Sequence, residues 1–189
     1  MKQLTILLDC DDTISIFMET CIMKYNEIYG TNHTIEDITD WDISGIFEHN
    51  LWSIFDKTDV LQHMPLKDGA FDIIKKWHKK GHKIVVVTGV NSINSYADKL
   101  RWLDLIGLAP YVYEVIPTRH KELVNGDVFI DDNPQYLYEW KHVNETKLCL
   151  LMTAQHNKNK EYITLIRIDS WDDVDKYVNV YENILKYTR

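Results

Sequence analysis

The segment "LTILLDCDDTI", residues 4–14, runs from an apolar stretch straight into three carboxylates, Asp9, Asp11 and Asp12. Carboxylates a few Å apart repel one another by several kcal/mol at intermediate dielectric, so such a cluster calls for a compensating cation. Further chemistry-bearing side chains follow apolar runs or sit in loops: Thr88 with Gly89 after "KIVVV", Lys121 in "TRHKELVNGD", and Asp131 with Asp132 after "VFI". Grouped acidic oxygens suit a hard cation such as Mg²⁺, with waters and a phosphate completing an octahedron. A hydroxyl and an ammonium remain for the phosphate itself. These are the parts of a phosphoryl-transfer site: an acidic nucleophile, a second carboxyl for proton transfer, a cation, and donors for the non-bridging oxygens. A calcium loop beginning at Asp9 is excluded, because it would need Gly and Glu where the chain has Ile14 and Thr20.

The elements that must position these residues are legible as alternating apolar runs and helical stripes. Leu4–Leu8 reads as a strand covered on both faces. A helix follows with apolar residues at Met18, Cys21, Ile22, Tyr25 and Tyr29, stopping at Gly30. Residues 16–67 are aromatic-rich and lack a buried strand, so they read as a helical insertion after the first strand. A second regime then begins. Ala70, Ile73, Ile74 and Trp77 mark a helix ending at Gly81, before the strand "KIVVV". Next come a helix through Tyr96, Leu100 and Leu103, a strand near "YVYEVI", the strand "VFI", and a short helix near 134–141. The strands "KLCLLM" and "ITLIRI" precede a last helix opened by a capping-box-like Ser170 and Asp173. Alternating strands and helices predict an α/β fold: a Rossmann-like three-layer core with a mainly parallel sheet, residues 1–15 and 68–189, and a small helical cap, residues 16–67, inserted after the first strand.

Composition narrows the partners. With 189 residues and 45% hydrophobic content the chain can bury a sizeable core. A net charge of -8 disfavours attachment to the nucleic-acid backbone or to anionic membranes. Any phosphate ligand must therefore meet local positive charge. Cys10, Cys21 and Cys149 are odd in number and widely spaced, which fits a reducing, cytoplasmic setting. No apolar stretch is long enough for a membrane span, and the opening run is too short for a signal peptide.

The motifs "DCDDT", "VVVTG", Lys121 and "FIDDNP" match in order and spacing those of the haloacid dehalogenase superfamily of phosphatases, and the chain resembles that superfamily over most of its length. A narrower resemblance, to the 5'(3')-deoxyribonucleotidases, comes from Phe17, "MPLKDGA", "TRHK", "IDDNP", "TAQHN" and "DSWDD". The resemblance implies a Mg²⁺-dependent phosphomonoesterase. It implies Asp9 as the nucleophile that forms an aspartyl-phosphate, and Asp11 as general acid and then base. It implies metal ligation by Asp9, the carbonyl of Asp11 and Asp132, with Asp131 in support; the order within that last pair stays open. Thr88, Gly89, Arg119 and Lys121 would bind the phosphate, and Phe17 and Trp41 the rest of the substrate. The implied partner is a nucleoside monophosphate, with no nucleic acid and no membrane; a homodimer is compatible with the sequence. Two departures stand out: Asp12, where many relatives have glycine, and Gly89, where close relatives have serine.

Blander readings cover other residues. Cys10 reads as a buried small hydrophobe, and His78 with His82 as a solvated helix end despite their i, i+4 spacing. Most tryptophans read as core, with Trp41 and Trp52 in the insertion free to face a ligand, and "HNKNKEY" reads as an exposed polar loop. Competing functions are a phosphatase for a sugar phosphate or cofactor precursor, and a receiver-like or nucleotide-binding module. A receiver carries its acid at the end of a middle strand, whereas "KIVVV", taken as that strand, ends in Thr88; an insertion of about fifty residues after the first motif is equally foreign to it.

Overall fold

The computed structural model describes residues 2–56 and 58–187. Six Val-, Ile- and Leu-rich runs pair in parallel: β1 (Thr5–Leu8), β2 (Lys83–Thr88), β3 (Glu114–Pro117), β4 (Val128–Asp131), β5 (Leu148–Met152) and β6 (Ile166–Ile168). Their order across the sheet is β3-β2-β1-β4-β5-β6. Chain direction across the sheet reverses between β1 and β4, which opens a crevice outside their carboxyl ends. Asp9 follows β1 and Asp131 ends β4, so the two acids face each other across that crevice.

Side-chain alternation builds the two outer layers. Leu4, Ile6, Leu8, Ile84, Val86 and Ile130 share one core with α2 (Ala70–Lys79), α3 (Ile93–Leu105) and α5 (Trp171–Tyr187). Leu7, Val85, Val87, Phe129 and Leu151 share the other with α4 (Pro134–Val143). Trp77, Trp102, Trp140 and Trp171 are fully buried in these layers, each the kind of side chain whose truncation costs about 3–5 kcal/mol. Gly126 allows the chain to pass closely over β1, since a Cβ there would lie 2.6 Å from the Leu7 Cγ. No described helix is long and apolar enough to cross a membrane.

Between Ser15 and Leu66 the chain leaves the sheet. It forms α1 (Phe17–Tyr29) and single 3₁₀ turns at Ile35–Asp37, Leu51–Asp56 and Val60–Gln62, with no strand among the described residues. Gly30 ends α1 in the left-handed region, at φ 66°. An isolated antiparallel bridge, Ser15 with Leu66, brings the two ends of the segment together. The Ile16 N–H donates to the Pro65 carbonyl at 2.8 Å and the Lys67 N–H to the Ile14 carbonyl at 2.9 Å.

Several local expectations are corrected. "KIVVV" is flanked by β3 and β1 and is not central; β1 and β4 are the middle strands. In "YVYEVI" only the end is strand, because Ala109–Tyr111 tighten into a 3₁₀ turn around Pro110. In "ITLIRI" pairing begins at Ile166, and Ile163 is almost fully exposed. The α3 stripe matches the expected one only at Leu103: Ser95, Lys99 and Trp102 join it in facing inward while Leu100 is exposed. His82 is buried and is no solvated helix end. Its Nδ1 accepts the Leu4 N–H at 3.2 Å, and its Nε2 faces the buried Glu182 carboxylate at 3.9 Å.

Burial pushes the His82 imidazole below its usual pKa, outweighing the upward pull of Glu182. The native state therefore holds His82 neutral, while the unfolded chain takes up a proton near pH ~6.5. Stability from this group is complete above that pH and is lost as pH falls below it, at no more than about 1.4 kcal/mol per pH unit. His82→Gln, which keeps an acceptor for Leu4 and cannot titrate, is expected to flatten the stability slope between pH 7 and 5 in urea unfolding; equal slopes in the two proteins would refute this account.

Candidate active site

The crevice opens into a cavity of about 870 Å³ lined on its floor by Asp9, Asp11, Lys99, Lys121, Asp131 and Asp132. Lys121 comes from a 3₁₀ turn, Lys121–Leu123, and is only 2% exposed. Its Nζ donates to Asp9 Oδ1 at 2.5 Å and to Asp131 Oδ2 at 2.7 Å. Burial works to lower the pKa of this lysine, but the carboxylates of Asp131 and Asp9 outweigh it and hold the ammonium charged. The ring of Tyr136 lies 4.5 Å beneath the same ammonium.

Asp9, Asp131 and Asp132 each bring a carboxylate oxygen within 4.8 Å of the others, and all three are buried. Burial pushes Asp131 up to about 7, against the opposing pull of Lys121. Burial raises Asp132 as well, and there the neighbouring charges of Asp9 and Asp131 add to the effect. Both oxygens of Asp131 are engaged, Oδ2 by Lys121 and Oδ1 by the Asn133 N–H at 2.8 Å. The Asp132 oxygens have only loose neighbours: the Thr13 hydroxyl at 3.4 Å and the His156 Nε2 at 3.4 Å. With all three carboxylates ionised, the single ammonium of Lys121 leaves a formal charge of minus two, surrounded by oxygen donors, and the upward shifts of Asp131 and Asp132 show how costly that charge is without a further cation. That donor set fits a hard divalent cation.

Asp11 sits in a second, separate pair. Lys99 donates to Asp11 Oδ2 at 2.6 Å, to the Thr88 hydroxyl at 2.7 Å and to the Gly89 carbonyl at 3.1 Å. Burial raises the Asp11 pKa, with the charge of Lys99 opposing it, and Asp11 Oδ1 is buried without a partner. Thr88 is fully buried with its hydroxyl turned to Lys99, while Gly89 lines the cavity itself. Arg119 stands at the rim and donates to the Asn91 side chain. Phe17 lines the opposite wall, with Trp52 stacked on it at 6.2 Å and Phe55 at 6.1 Å. Trp41 is 58% exposed and meets the His156 ring edge-on at 4.9 Å.

Two groups had no role in the reading by motif. Lys99 lies on the buried stripe of α3, at positions 95, 99, 102 and 103; a lysine in phase with Trp102 is the signal that could have found it. The other is the start of "HNKNKEY", which is not an exposed loop throughout: His156 and Asn157 are buried. Asn157 Nδ2 donates to the Asp132 carbonyl at 2.7 Å and the Met152 carbonyl at 2.9 Å, and its Oδ1 accepts from Arg167 at 2.8 Å. It thereby fixes the backbone from which the Asp132 carboxylate projects. Cys10 is buried as expected, and burial pushes its thiol well up.

If the uncompensated charge takes up a divalent cation, MgCl₂ at about a hundredfold excess over Kd should stabilise the fold by about 2.7 kcal/mol, a Tm rise of roughly 5–10 °C for a chain of this size. Asp132→Asn should lose most of that rise. Scanning calorimetry in EDTA and in MgCl₂ checks both, and an unchanged Tm would mean that Lys121 alone compensates the acids.

Comparison with known proteins agrees with this geometry. The model of a family described as "5' nucleotidase, deoxy (Pyrimidine), cytosolic type C protein" matches residues 2–184. A Clostridium acetobutylicum protein named 5'(3')-deoxyribonucleotidase is 23% identical over 177 residues, covering 90% of this chain and 92% of its own. A Staphylococcus aureus protein, provisionally named a 5'(3')-deoxyribonucleotidase, is 22% identical over 182 residues, covering 94% and 96%. Among solved structures, a haloacid dehalogenase-family hydrolase of Deinococcus radiodurans with bound phosphate and sodium superposes with a TM-score of 0.69 at 9% identity, covering 94% of this chain and 96% of its own. The magnesium-bound hydrolase YfnB of Bacillus subtilis, provisionally assigned to the same superfamily, gives 0.67 at 16% identity, covering 95% and 100%. The chain belongs to the deoxy-type 5'-nucleotidase family of phosphoric monoester hydrolases, built on a haloacid dehalogenase-type fold.

Proposed function

We propose that the chain is a Mg²⁺-dependent 5'(3')-deoxyribonucleotidase that acts through an aspartyl-phosphate on Asp9. The observation that carries this reading is one cavity with three lysine-held carboxylates, Asp9, Asp11 and Asp131, on its floor and an aromatic wall of Phe17, Trp52 and Phe55. Asp9, Asp132 and the Asp11 carbonyl would hold the metal, with Asp131 in support. Bound Mg²⁺ supplies charge neutralisation for the phosphoryl oxygens and the carboxylates.

The residues of the chain divide the chemistry between them. Asp9 attacks phosphorus and forms the new P–O bond as the bond to the sugar oxygen breaks. Asp11, whose burial favours the protonated acid, gives its proton to that oxygen. It then takes a proton from water, which attacks the phosphorus, breaks the bond to Asp9 and releases inorganic phosphate. Lys121, Arg119 and the amides around Gly89 bind the non-bridging oxygens, with Thr88 holding Lys99 in place. Residues 16–67 act as the cap that excludes water and presents the aromatic wall. Stacking on a flat base contributes about 1–3 kcal/mol per contact, which favours a nucleotide over a sugar phosphate. A 2'-hydroxyl buried against Phe17 without a partner costs about 1–3 kcal/mol, which favours deoxyribose. Three buried, unpaired cysteines support a cytoplasmic setting.

A hydrolysis panel of deoxyribo- and ribonucleoside monophosphates tests the reading. Deoxyribonucleotides should be preferred by roughly ten- to a hundredfold in kcat/KM, and Phe17→Asn should narrow the gap. Asp9→Asn should abolish turnover, whereas Asp11→Asn should slow it by roughly 10²–10⁴ and let acylphosphate accumulate in rapid quench. Wild-type rates in Asp9→Asn would remove it as nucleophile. Equal use of both sugars would remove the deoxy assignment, and rapid hydrolysis of a sugar phosphate with none of any nucleotide would overturn the substrate class.

A further inference from the structure

Among the described residues, Asp12 is the one non-glycine residue with positive φ, at 51°. Left-handed backbone is disfavoured for any residue with a Cβ, so something must hold Asp12 there. Its carboxylate does. Oδ1 accepts the Phe17 N–H at 2.9 Å and the Met18 N–H at 3.1 Å, and Oδ2 lies 3.2 Å from the Met18 nitrogen. These are the first two N–H groups of α1, whose own N-cap residue, Ile16, offers no side-chain acceptor. An aspartate four residues upstream of that N-cap therefore does the capping, and its charge suits the positive end of the helix.

The consequence is geometric. The loop carrying Asp9 and Asp11 is tied by one side chain to the first residue of α1, and that residue is Phe17. The Phe17 ring lies nearly parallel to Trp52, at 16°, and against Phe55 in the cavity wall. The distance between the reacting acids and the aromatic wall thus depends on the Asp12 carboxylate. We infer that Asp12 is a positioning residue for this wall, setting how closely the sugar is held and how strongly a 2'-hydroxyl is refused. The inference rests on the nucleotide reading of the cavity.

Asp12→Gly keeps the backbone conformation and removes the cap, while Asp12→Asn keeps an acceptor oxygen on a residue that tolerates the left-handed region. Steady-state kinetics on dUMP, UMP and p-nitrophenyl phosphate, with Tm in MgCl₂ as the folding control, compare them. Asp12→Gly is expected to raise KM for dUMP roughly 2- to 30-fold, the range spanned by helix caps, and to lower the dUMP-to-UMP ratio of kcat/KM. Turnover of p-nitrophenyl phosphate, which carries no sugar, should fall less. Asp12→Asn should restore most of both values. Phe17→Leu, with the cap intact, should lower the ratio too, and adding Asp12→Gly to it should change the ratio little further. Wild-type KM and ratio in Asp12→Gly overturn the inference, as does an equal loss on all three substrates or an Asp12→Asn protein no better than Asp12→Gly. A wild-type protein that hydrolyses p-nitrophenyl phosphate but neither nucleotide overturns the nucleotide reading, and the inference with it.

Discussion

Lys121 places an ammonium between Asp9 and Asp131, at 2.5 and 2.7 Å, in a site where all three side chains are out of water. Each buried ion carries a desolvation penalty of several kcal/mol, so the arrangement holds only because the contacts are short and the remaining lone pairs are used. The Asn133 N–H takes the second oxygen of Asp131, and the Tyr136 ring faces the ammonium. Removing the lysine would leave carboxylates converging at the ends of β1 and β4 with nothing between them. Backbone pairing joins these two central strands, and that one ammonium holds the acids at their ends together as the floor of the cavity.

A second lysine makes the two chemical aspartates unlike. Asp9 shares Lys121 with Asp131, whereas Asp11 has Lys99 to itself on one oxygen and an unpartnered oxygen on the other. Different surroundings separate the protonation of neighbouring carboxyl groups, which is what the proposed division of nucleophile and acid between them requires. Lys99 also holds the Thr88 hydroxyl and the Gly89 carbonyl, so the ends of β1 and β2 are tied through the same ammonium.

The four inner strands were legible because each is a short Val-, Ile- or Leu-rich run followed by polar residues, and burial on both faces leaves no other place for such runs, whereas the bounds of β3 and β6, partly exposed at the edges, were not. Asp9, Asp131 and Asp132 were legible for the same reason: each stands at a carboxyl-end position that a parallel sheet gathers into one crevice, whereas Lys121, on a turn beyond β3, was legible through its place in the order of the motifs. Lys99 was not, because a helical stripe is ambiguous in phase, and Leu100 beside it looks the better core residue until Trp102 is seen facing inward. His82 and Asn157 were hidden for another reason. Their burial comes from partners far along the chain, Glu182 for one and Asp132 with Arg167 for the other, and no local pattern reports a contact of that kind.

The bridge between Ser15 and Leu66 has a bearing on how such a protein can change over time. Because the chain departs from and returns to the same spot, its backbone enters and leaves the intervening fifty or so residues at two adjacent positions, although side chains of that segment also pack on the core, as Gln62 does on Asp98 and Trp41 on His156. Closing a loop of that kind depends weakly on its length, each doubling adding only about 0.6 kcal/mol. Segments of quite different length can therefore close at this junction at little entropic cost while strand order stays as it is. The length of the insertion and the order of the strands are in this way free to diverge at separate rates.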